Sequence, residues 1–228
     1  MQELKHLEIV GSNLQDPCGV ALLPNLLSLS NISVNSCTKE ILERLPELKK
    51  LGVRIELSPD AAEPMRCFDN LFVLKKLESL KCAIVNPHLS RSQIVAPPAS
   101  VLTFPSSLSK LSLTGFGYSW ERIRVIAKLR NLEVLKLRCY AFRGPEWVIH
   151  EKEFENLKFL LLEDTDLVFW KVEGDIFPFL TKLCIRHCYK LKGVPFLKSA
   201  VIKLVDCPSV NVSRLQEEEV CILVSSSW

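Results

Sequence analysis

The sequence has no apolar run of about 18 residues, and this absence excludes a transmembrane helix of ordinary length. The opening, MQELKHLEIV, has no basic segment followed by an apolar stretch, so we expect no signal peptide. The eight glycines form no phosphate-binding loop, and the four histidines have no partner pattern for a catalytic triad. These absences predict a chain without catalytic residues, cofactors or resident metals.

Charge and cysteine usage narrow the class of protein further. Lys and Arg number 29 against 26 Asp and Glu, and this net charge of +3 is too small to indicate a nucleic-acid-binding protein. The nine cysteines are odd in number and follow no disulfide framework, so we expect free thiols and a cytoplasmic protein. Cys184, His187 and Cys188 suggest a metal site, but strand alternation points the two cysteines apart, which favours packing roles.

Internal repetition is the clearest positive signal. The pattern L-x-x-L-x-L occurs in LRNLEVLKL, FENLKFLLL and FPFLTKLCI, and looser copies run through the rest of the chain. The middle apolar residues lie at positions 7, 29, 51, 80, 111, 135, 160, 183 and 202, which are 19 to 31 residues apart. This spacing is close to the period of about 20–29 residues that is typical of leucine-rich repeats.

The repeat pattern determines the expected fold. L-x-L is typical of a short strand whose two apolar side chains point the same way, and one such strand cannot bury that side alone. The sequence therefore predicts an α/β leucine-rich-repeat solenoid, a curved horseshoe with a parallel concave sheet and an irregular or helical convex side. Strands are expected around 49–53, 78–82, 109–113, 133–137, 158–162 and 181–185. Helical connections are expected at 38–45 and 119–129, and loops at 58–66 and 85–101.

The same pattern predicts the domain organisation. One solenoid of about nine irregular repeats is expected over residues 1–215, followed at 216–228 by a tail or short helix. Residues 1–10 read as an ordinary apolar repeat strand, whereas a solenoid normally ends in a polar cap. We therefore expect a fragment or truncated product whose N-terminal sheet edge self-associates.

A family resemblance adds to this interpretation, weakly before residue 100 and densely after it. It rests on FPSSLSKLSLTGFGYSW, IAKLRNLEVLKLRCYAFRGPEW, EFENLKFLLLEDTDLVFW and FPFLTKLCIRHCYKL, in which GPEW (144–147) and TDLVFW (165–170) are more specific than any leucine spacing. These segments resemble the repeat domain of plant intracellular nucleotide-binding leucine-rich-repeat immune receptors, of the late-blight-resistance type of the potato and tomato family. The resemblance covers residues 23–220.

The resemblance implies a protein-interaction and sensor module rather than an enzyme. Its expected partners are a receptor switch domain that it restrains, a pathogen effector, or a guarded host protein. One alternative is a generic repeat adaptor, for example for ubiquitin-ligase substrate recognition, which would be accompanied by an F-box-like segment. Another is a basic surface that binds nucleic acid, which would need stacking aromatic residues among its basic ones.

The residues predicted to face the concave surface carry an unusual charge bias. Three lanes give 21 positions on the seven strands from 50 onward, of which nine are Lys or Arg and only Glu163 is acidic. Like charges on adjacent strands repel, so this bias favours a partner of opposite charge, and Phe159 beside Leu161 adds an apolar element. We call the residues predicted to bind protein the concave strip: Lys50, Arg54, Lys81, Lys110, Val134, Lys136, Arg138, Phe159, Leu161, Glu163, Lys182, Arg186 and Lys203.

Overall fold

The apolar markers of the predicted repeat all lie in short parallel strands. The computed structural model describes residues 3–9, 22–56, 68–85, 102–174, 176–197, 200–211 and 222–225. The chain forms two compact units, Met1–Leu111 and Ser112–Trp228. Each unit is a stack of parallel β-solenoid turns with little helix, which confirms the predicted leucine-rich-repeat class.

The first unit contains four strands that pair in chain order. They are β1 (His6–Glu8), β2 (Ser28–Ser33), β3 (Lys50–Glu56) and β4 (Ser79–Val85), all parallel. The next strand, β5 (Lys110–Thr114), contains the boundary between the units. The inward residues of β2, β3 and β4 are buried, for example Leu51 at 2% and Leu80 at 1% exposure, whereas Leu7 on β1 is half-buried. β1 is short and pairs with β2, and the expected self-association through its edge stays a prediction.

A bulge in β2 explains the one glycine of the predicted concave lanes. The register between β2 and β3 shifts between Leu29 and Ile32, where Asn31 has a positive φ of 60°. A Cβ added at Gly52 would lie 3.2 Å from the Asn31 backbone nitrogen. Only glycine fits at this close approach without moving the neighbouring backbone.

The second unit repeats the same parallel stack, and the first four strands of its main sheet pair without a register shift. Its main sheet has the order β7 (Val134–Arg138), β10 (Phe159–Glu163), β12 (Lys182–Arg186), β13 (Val201–Val205) and β14 (Ile222–Ser225), all parallel. Leu135, Leu160, Leu183 and Ile202 lie side by side across these strands, and each is 0% exposed. The burial of this row confirms the predicted inward positions.

In the second unit, the residue that follows each of five main strands has a left-handed backbone conformation, which we call the left-handed step. The residue after β5, β7, β10, β12 and β13 has a positive φ: Gly115 (81°), Cys139 (46°), Asp164 (52°), His187 (52°) and Asp206 (52°). Each of these residues donates its backbone N–H to the last described strand residue of the following turn, at 2.9–3.1 Å. The step therefore ends each strand while it keeps the turns hydrogen-bonded.

The connections between these strands form two small parallel sheets that the sequence did not predict. β6 (Tyr118–Ser119) pairs with β8 (Phe142–Arg143), and β9 (Glu146–His150) pairs with β11 (Phe169–Glu173). Trp120, Trp147 and Trp170 stack in a column beside them, with ring centroids 4.8 and 4.7 Å apart. The Trp120 indole donates to the Gly144 carbonyl at 3.1 Å, and Asp166 accepts from the Gly144 N–H at 3.2 Å. The motifs GPEW and TDLVFW are therefore the packing and turn residues of this tryptophan column.

The predicted helical connections are confirmed in short form. The first is α1 (Lys39–Leu42), capped by the Thr38 side chain, which accepts from the Ile41 N–H at 3.4 Å. The second is a 3-10 turn (Trp120–Ile123) that continues into α2 (Arg124–Ala127). Two further 3-10 turns occur at Val34–Ser36 and Leu71–Val73. None of the helices in the described ranges has the length and apolar character needed to cross a bilayer.

Three further predicted segments remain, of which one forms a strand and two lie almost wholly outside the described residues. Within 216–228 the described residues form β14, so a strand stands where a tail or short helix was expected. The reason is the apolar run ILV, in which Ile222 and Val224 are β-branched and favour a strand that extends the parallel ladder on β13. The predicted loop at 58–66 lies outside the described residues, as does the predicted loop at 85–101 apart from Val85, the last residue of β4.

Candidate protein-interaction surface

The strands of the second unit align the predicted concave lanes residue by residue. The first lane runs Val134, Phe159, Lys182 and Val201. The second runs Lys136, Leu161, Cys184 and Lys203, and the third runs Arg138, Glu163, Arg186 and Val205. The structure thus brings together nine members of the concave strip on four adjacent strands.

An alternating ion row lies along the third lane. Glu163 stands between Arg138 and Arg186 in the register, and the Arg138 Nε lies 2.9 Å from the Glu163 Oε2. The Arg138 side chain is 34% exposed and that of Glu163 is 21% exposed, so both are partly desolvated. The Arg186 Nε is buried without a hydrogen-bond partner among the described residues. One carboxylate therefore faces two guanidinium groups, and the row keeps a net positive charge.

The aromatic member of the strip is engaged by a lysine. The Lys136 Nζ lies over the Phe159 ring, 5.7 Å from its centroid. A cation over a ring face is attracted to its quadrupole and occupies that face. Phe159 is half-buried, and so is Val134, which precedes it in the same lane. The ring face under Lys136 is therefore not available for stacking on a nucleic-acid base.

Leu161 does not have the exposure that strand alternation predicted. It lies in the middle lane on the concave side but is only 3% exposed, and Cys184 beside it is also 3% exposed. Leu161 is surrounded by longer side chains. Lys136 lies opposite it on the neighbouring strand, and Phe159 and Glu163 flank it on its own strand. The expectation that Leu161 offers an apolar contact was therefore wrong for this state of the protein, and Val134 and Phe159 remain as the apolar members of the strip.

The first unit carries the other four members of the strip. Lys50 and Lys81 are exposed on β3 and β4, and Lys110 is exposed at the start of β5. Arg54 is half-buried, and its Nε lies 3.1 Å from the Glu56 Oε1. The charge of Arg54 is thus countered by its own strand, whereas the three lysines keep their charge at the surface.

The residues suspected of holding a metal have other roles. Cys184 and Cys188 are both buried, and the His187 Nδ1 lies 3.2 Å from the Asp206 Oδ2. Within the described ranges, no group of three or more His, Cys, Asp or Glu residues could hold a metal ion. Cys139, Cys184, Cys188 and Cys207 have free thiols, whereas Cys18, Cys67 and Cys221 lie outside the described ranges.

This unit has a second surface feature that was not predicted from the sequence. A groove of about 500 Å³ lies between β11 and residues 192–196, and Phe169 and Phe196 at its sides are 51% and 49% exposed. Lys171 and Lys192 line it as well, and Lys171 pairs with Glu146 at 2.6 Å. Alternation along VFWKV could have indicated it, since Trp170 points inward and Phe169 therefore points outward.

The chain is similar over most of its length to plant resistance proteins. Two putative late blight resistance protein homologs of Solanum demissum are each 30% identical to it over 240 residues, which cover 96% of this chain and 17% of the relative. A probable disease resistance protein of Arabidopsis thaliana is 26% identical over 220 residues, which cover 86% of this chain and 20% of the relative. The chain thus spans less than a fifth of the length of the late blight relatives. No family model matches the chain.

Proposed function

Since this chain belongs to the family of plant late blight and disease resistance proteins, and matches a C-terminal portion of them, we propose that it is a protein-interaction and sensor module. In this proposal the module recognises a pathogen effector or a guarded host protein and restrains a nucleotide-binding switch domain. It acts in the cytoplasm and carries out no catalytic step of its own. The observation that carries the proposal is the charge bias of the concave strip.

The strip supports docking of an acidic protein surface rather than of another ligand. In the second unit it carries five basic residues and one acidic residue on four strands. Electrostatic complementarity of this kind mainly increases association rate and specificity, and the half-buried Val134 and Phe159 would add apolar contact that salt does not weaken. Nucleic acid is the weaker alternative, because Phe159 is the one aromatic residue of the strip and Lys136 covers one of its faces.

Reversing charges in the strip should abolish association with the family's nucleotide-binding domain. We expect the double variant Arg138→Glu/Arg186→Glu to lose at least about tenfold in affinity, or about 1.4 kcal/mol, at low salt. Binding of the unaltered chain should itself weaken with added salt, because the Debye length falls from about 10 Å at 0.1 M to about 3 Å at 1 M. The measurement is co-purification of the two proteins, followed by titration at both salt concentrations.

Two further variants make this test specific. Lys136→Glu/Lys182→Glu changes the charge of the strip equally but leaves the Arg138–Glu163 pair intact, so it should also lose binding while it stays folded. Lys128→Glu/Arg130→Glu changes the net charge by the same amount at exposed positions outside the strip, and should bind like the unaltered chain. Equal retention of all four proteins at low salt would show that the strip is a solvated basic surface without a partner role.

A further inference from the structure

Cys188 and Cys207 occupy equivalent positions in two consecutive turns of the second unit. Each follows a left-handed residue with a φ of 52°, His187 in one turn and Asp206 in the next. Each also begins a tight turn: the Leu191 N–H donates to the Cys188 carbonyl at 3.3 Å, and the Val210 N–H donates to the Cys207 carbonyl at 3.2 Å. The parallel register of β12 and β13 continues into these turns through the hydrogen bond from His187 N–H to the Val205 carbonyl at 2.9 Å. The two cysteines are therefore neighbours across the stack.

Each thiol lies beside the carbonyl group two residues earlier in the chain. The Cys188 Sγ lies 3.2 Å from the Arg186 carbonyl oxygen, and the Cys207 Sγ lies 3.3 Å from the Val205 carbonyl oxygen, which is the equivalent atom one turn later. The Cys207 Sγ also lies 3.6 Å from the carbonyl oxygen of Ile185, which belongs to the turn that holds Cys188. Adjacent parallel strands lie about 4.8 Å apart, and a disulfide joins Cα atoms that are about 4.4–6.8 Å apart. The spacing of consecutive parallel turns therefore fits the span of a disulfide.

The two sulfurs differ in reactivity. The hydrogen bond from Cys188 lowers the pKa of the Cys207 thiol to about 7, whereas the same contact, together with burial, raises the pKa of Cys188. Cys207 is half-buried and can meet a small reagent, whereas Cys188 is 0% exposed. The exposed Cys139 offers a contrast, because partial burial and the neighbouring Asp164 raise its pKa. The thiolate is the reactive form of cysteine, so Cys207 is favoured over Cys139 as the point of attack.

We propose that Cys188 and Cys207 form a modification site, a dithiol that hydrogen peroxide converts into a disulfide between consecutive turns. The Cys207 sulfur attacks one peroxide oxygen, the O–O bond breaks, and hydroxide leaves, which gives a sulfenic acid. The Cys188 sulfur then attacks the Cys207 sulfur, the S–O bond breaks, and the departing hydroxide takes the Cys188 proton to form water. In sum, the dithiol loses two electrons and two protons, and one peroxide becomes two waters.

Trypsin separates the cysteines concerned, so the disulfide can be identified by peptide mapping. Cleavage after Arg186, Lys190, Lys203 and Arg214 releases Cys184, Cys188 and Cys207 on three different peptides. We treat the full 228-residue chain with a small excess of hydrogen peroxide, block the remaining thiols, and digest it without reductant. The expected result is the loss of two thiols and one dominant linked pair, residues 187–190 joined to 204–214. A linked pair that involves Cys184, or oxidation of Cys207 with no linked peptide, would overturn the proposal.

Single substitutions assign the order of the two steps. Cys188→Ser should leave a sulfenic acid on Cys207 that a dimedone label traps, while Cys207→Ser should leave Cys188 unlabelled because it is buried. Cys139→Ser removes an exposed thiol outside the pair and should form the disulfide as the unaltered chain does. Circular dichroism checks that each variant is folded, and the same treatment in denaturant should give mixed pairings. Efficient dimedone labelling of Cys188 in the folded Cys207→Ser variant would contradict the assigned order.

Discussion

Replacing Leu160 with aspartate is expected to unfold the second unit at room temperature. Leu160 is the second residue of β10 and is 0% exposed, between Leu135 and Leu183 on the neighbouring strands. Loss of a buried leucine costs about 3–5 kcal/mol, and a buried carboxyl group without a partner adds to that cost. A domain is stable by only about 5–15 kcal/mol, so this one change removes most or all of the stability. Leu135→Asp should act in the same way.

Urea titration followed by far-ultraviolet circular dichroism measures this loss. Lys182→Asp is the matched control, because it introduces the same side chain one strand away at an exposed position. Its free energy of unfolding should stay within about 0.5 kcal/mol of the unaltered chain. A Leu160→Asp protein with an unchanged unfolding midpoint would mean that β10 does not bury its leucines in this register.

Replacing Trp147 with alanine should lower the free energy of unfolding by about 3–5 kcal/mol. Trp147 is 0% exposed and is stacked on both sides, by Trp120 at 4.8 Å and by Trp170 at 4.7 Å. Its removal empties the middle of the tryptophan column and takes the stacking partner from both neighbours. Thermal unfolding, with tryptophan fluorescence as a second probe, measures the loss.

Two control variants test whether stacking in the tryptophan column contributes to stability. Phe169→Ala removes an aromatic ring that is 51% exposed on β11, and should change stability by less than about 1 kcal/mol. Trp147→Phe keeps a stacked ring and should be clearly less damaging than alanine. It also removes no hydrogen bond, since the Trp147 indole N–H has no acceptor among the described residues. Equal destabilisation by Phe169→Ala and Trp147→Ala would refute a structural role for the column.

The main strands were predictable because their pattern is local. In L-x-L each inward residue is two positions from the next, and the spacing between copies identifies the stacking partner without any knowledge of distant contacts. The register that aligns Ile202 with Leu183 followed from this spacing, although the turn before Ile202 is shorter than the others. The lanes of the concave strip in the second unit followed from the same register.

The exposure of individual residues and the small sheets were not predictable in the same way. Whether Leu161 is exposed depends on the lengths of Lys136, Phe159 and Glu163 around it, which is a property of several strands together. β9 and β11 pair across 23 residues, and no repeated L-x-L pattern marks either strand or their pairing. The equivalent placement of Cys188 and Cys207 likewise depends on matching the ends of two turns. In each case the deciding information lies between repeats rather than within one.

The left-handed step that ends each strand forms the same backbone connection, or joint, between consecutive turns of the second unit. The residues at this step differ in chemistry, yet Cys139, Asp164, His187 and Asp206 share nearly one backbone conformation and one hydrogen-bonding arrangement. Each turn therefore presents the same backbone connection to the turn before it and to the turn after it. A whole turn inserted or removed at such a joint leaves its neighbours with the same backbone hydrogen bond, whereas a partial insertion breaks the ladder. Genes for such chains can accordingly gain or lose length in complete repeats, and the side chains of each added lane can then change independently of the joint.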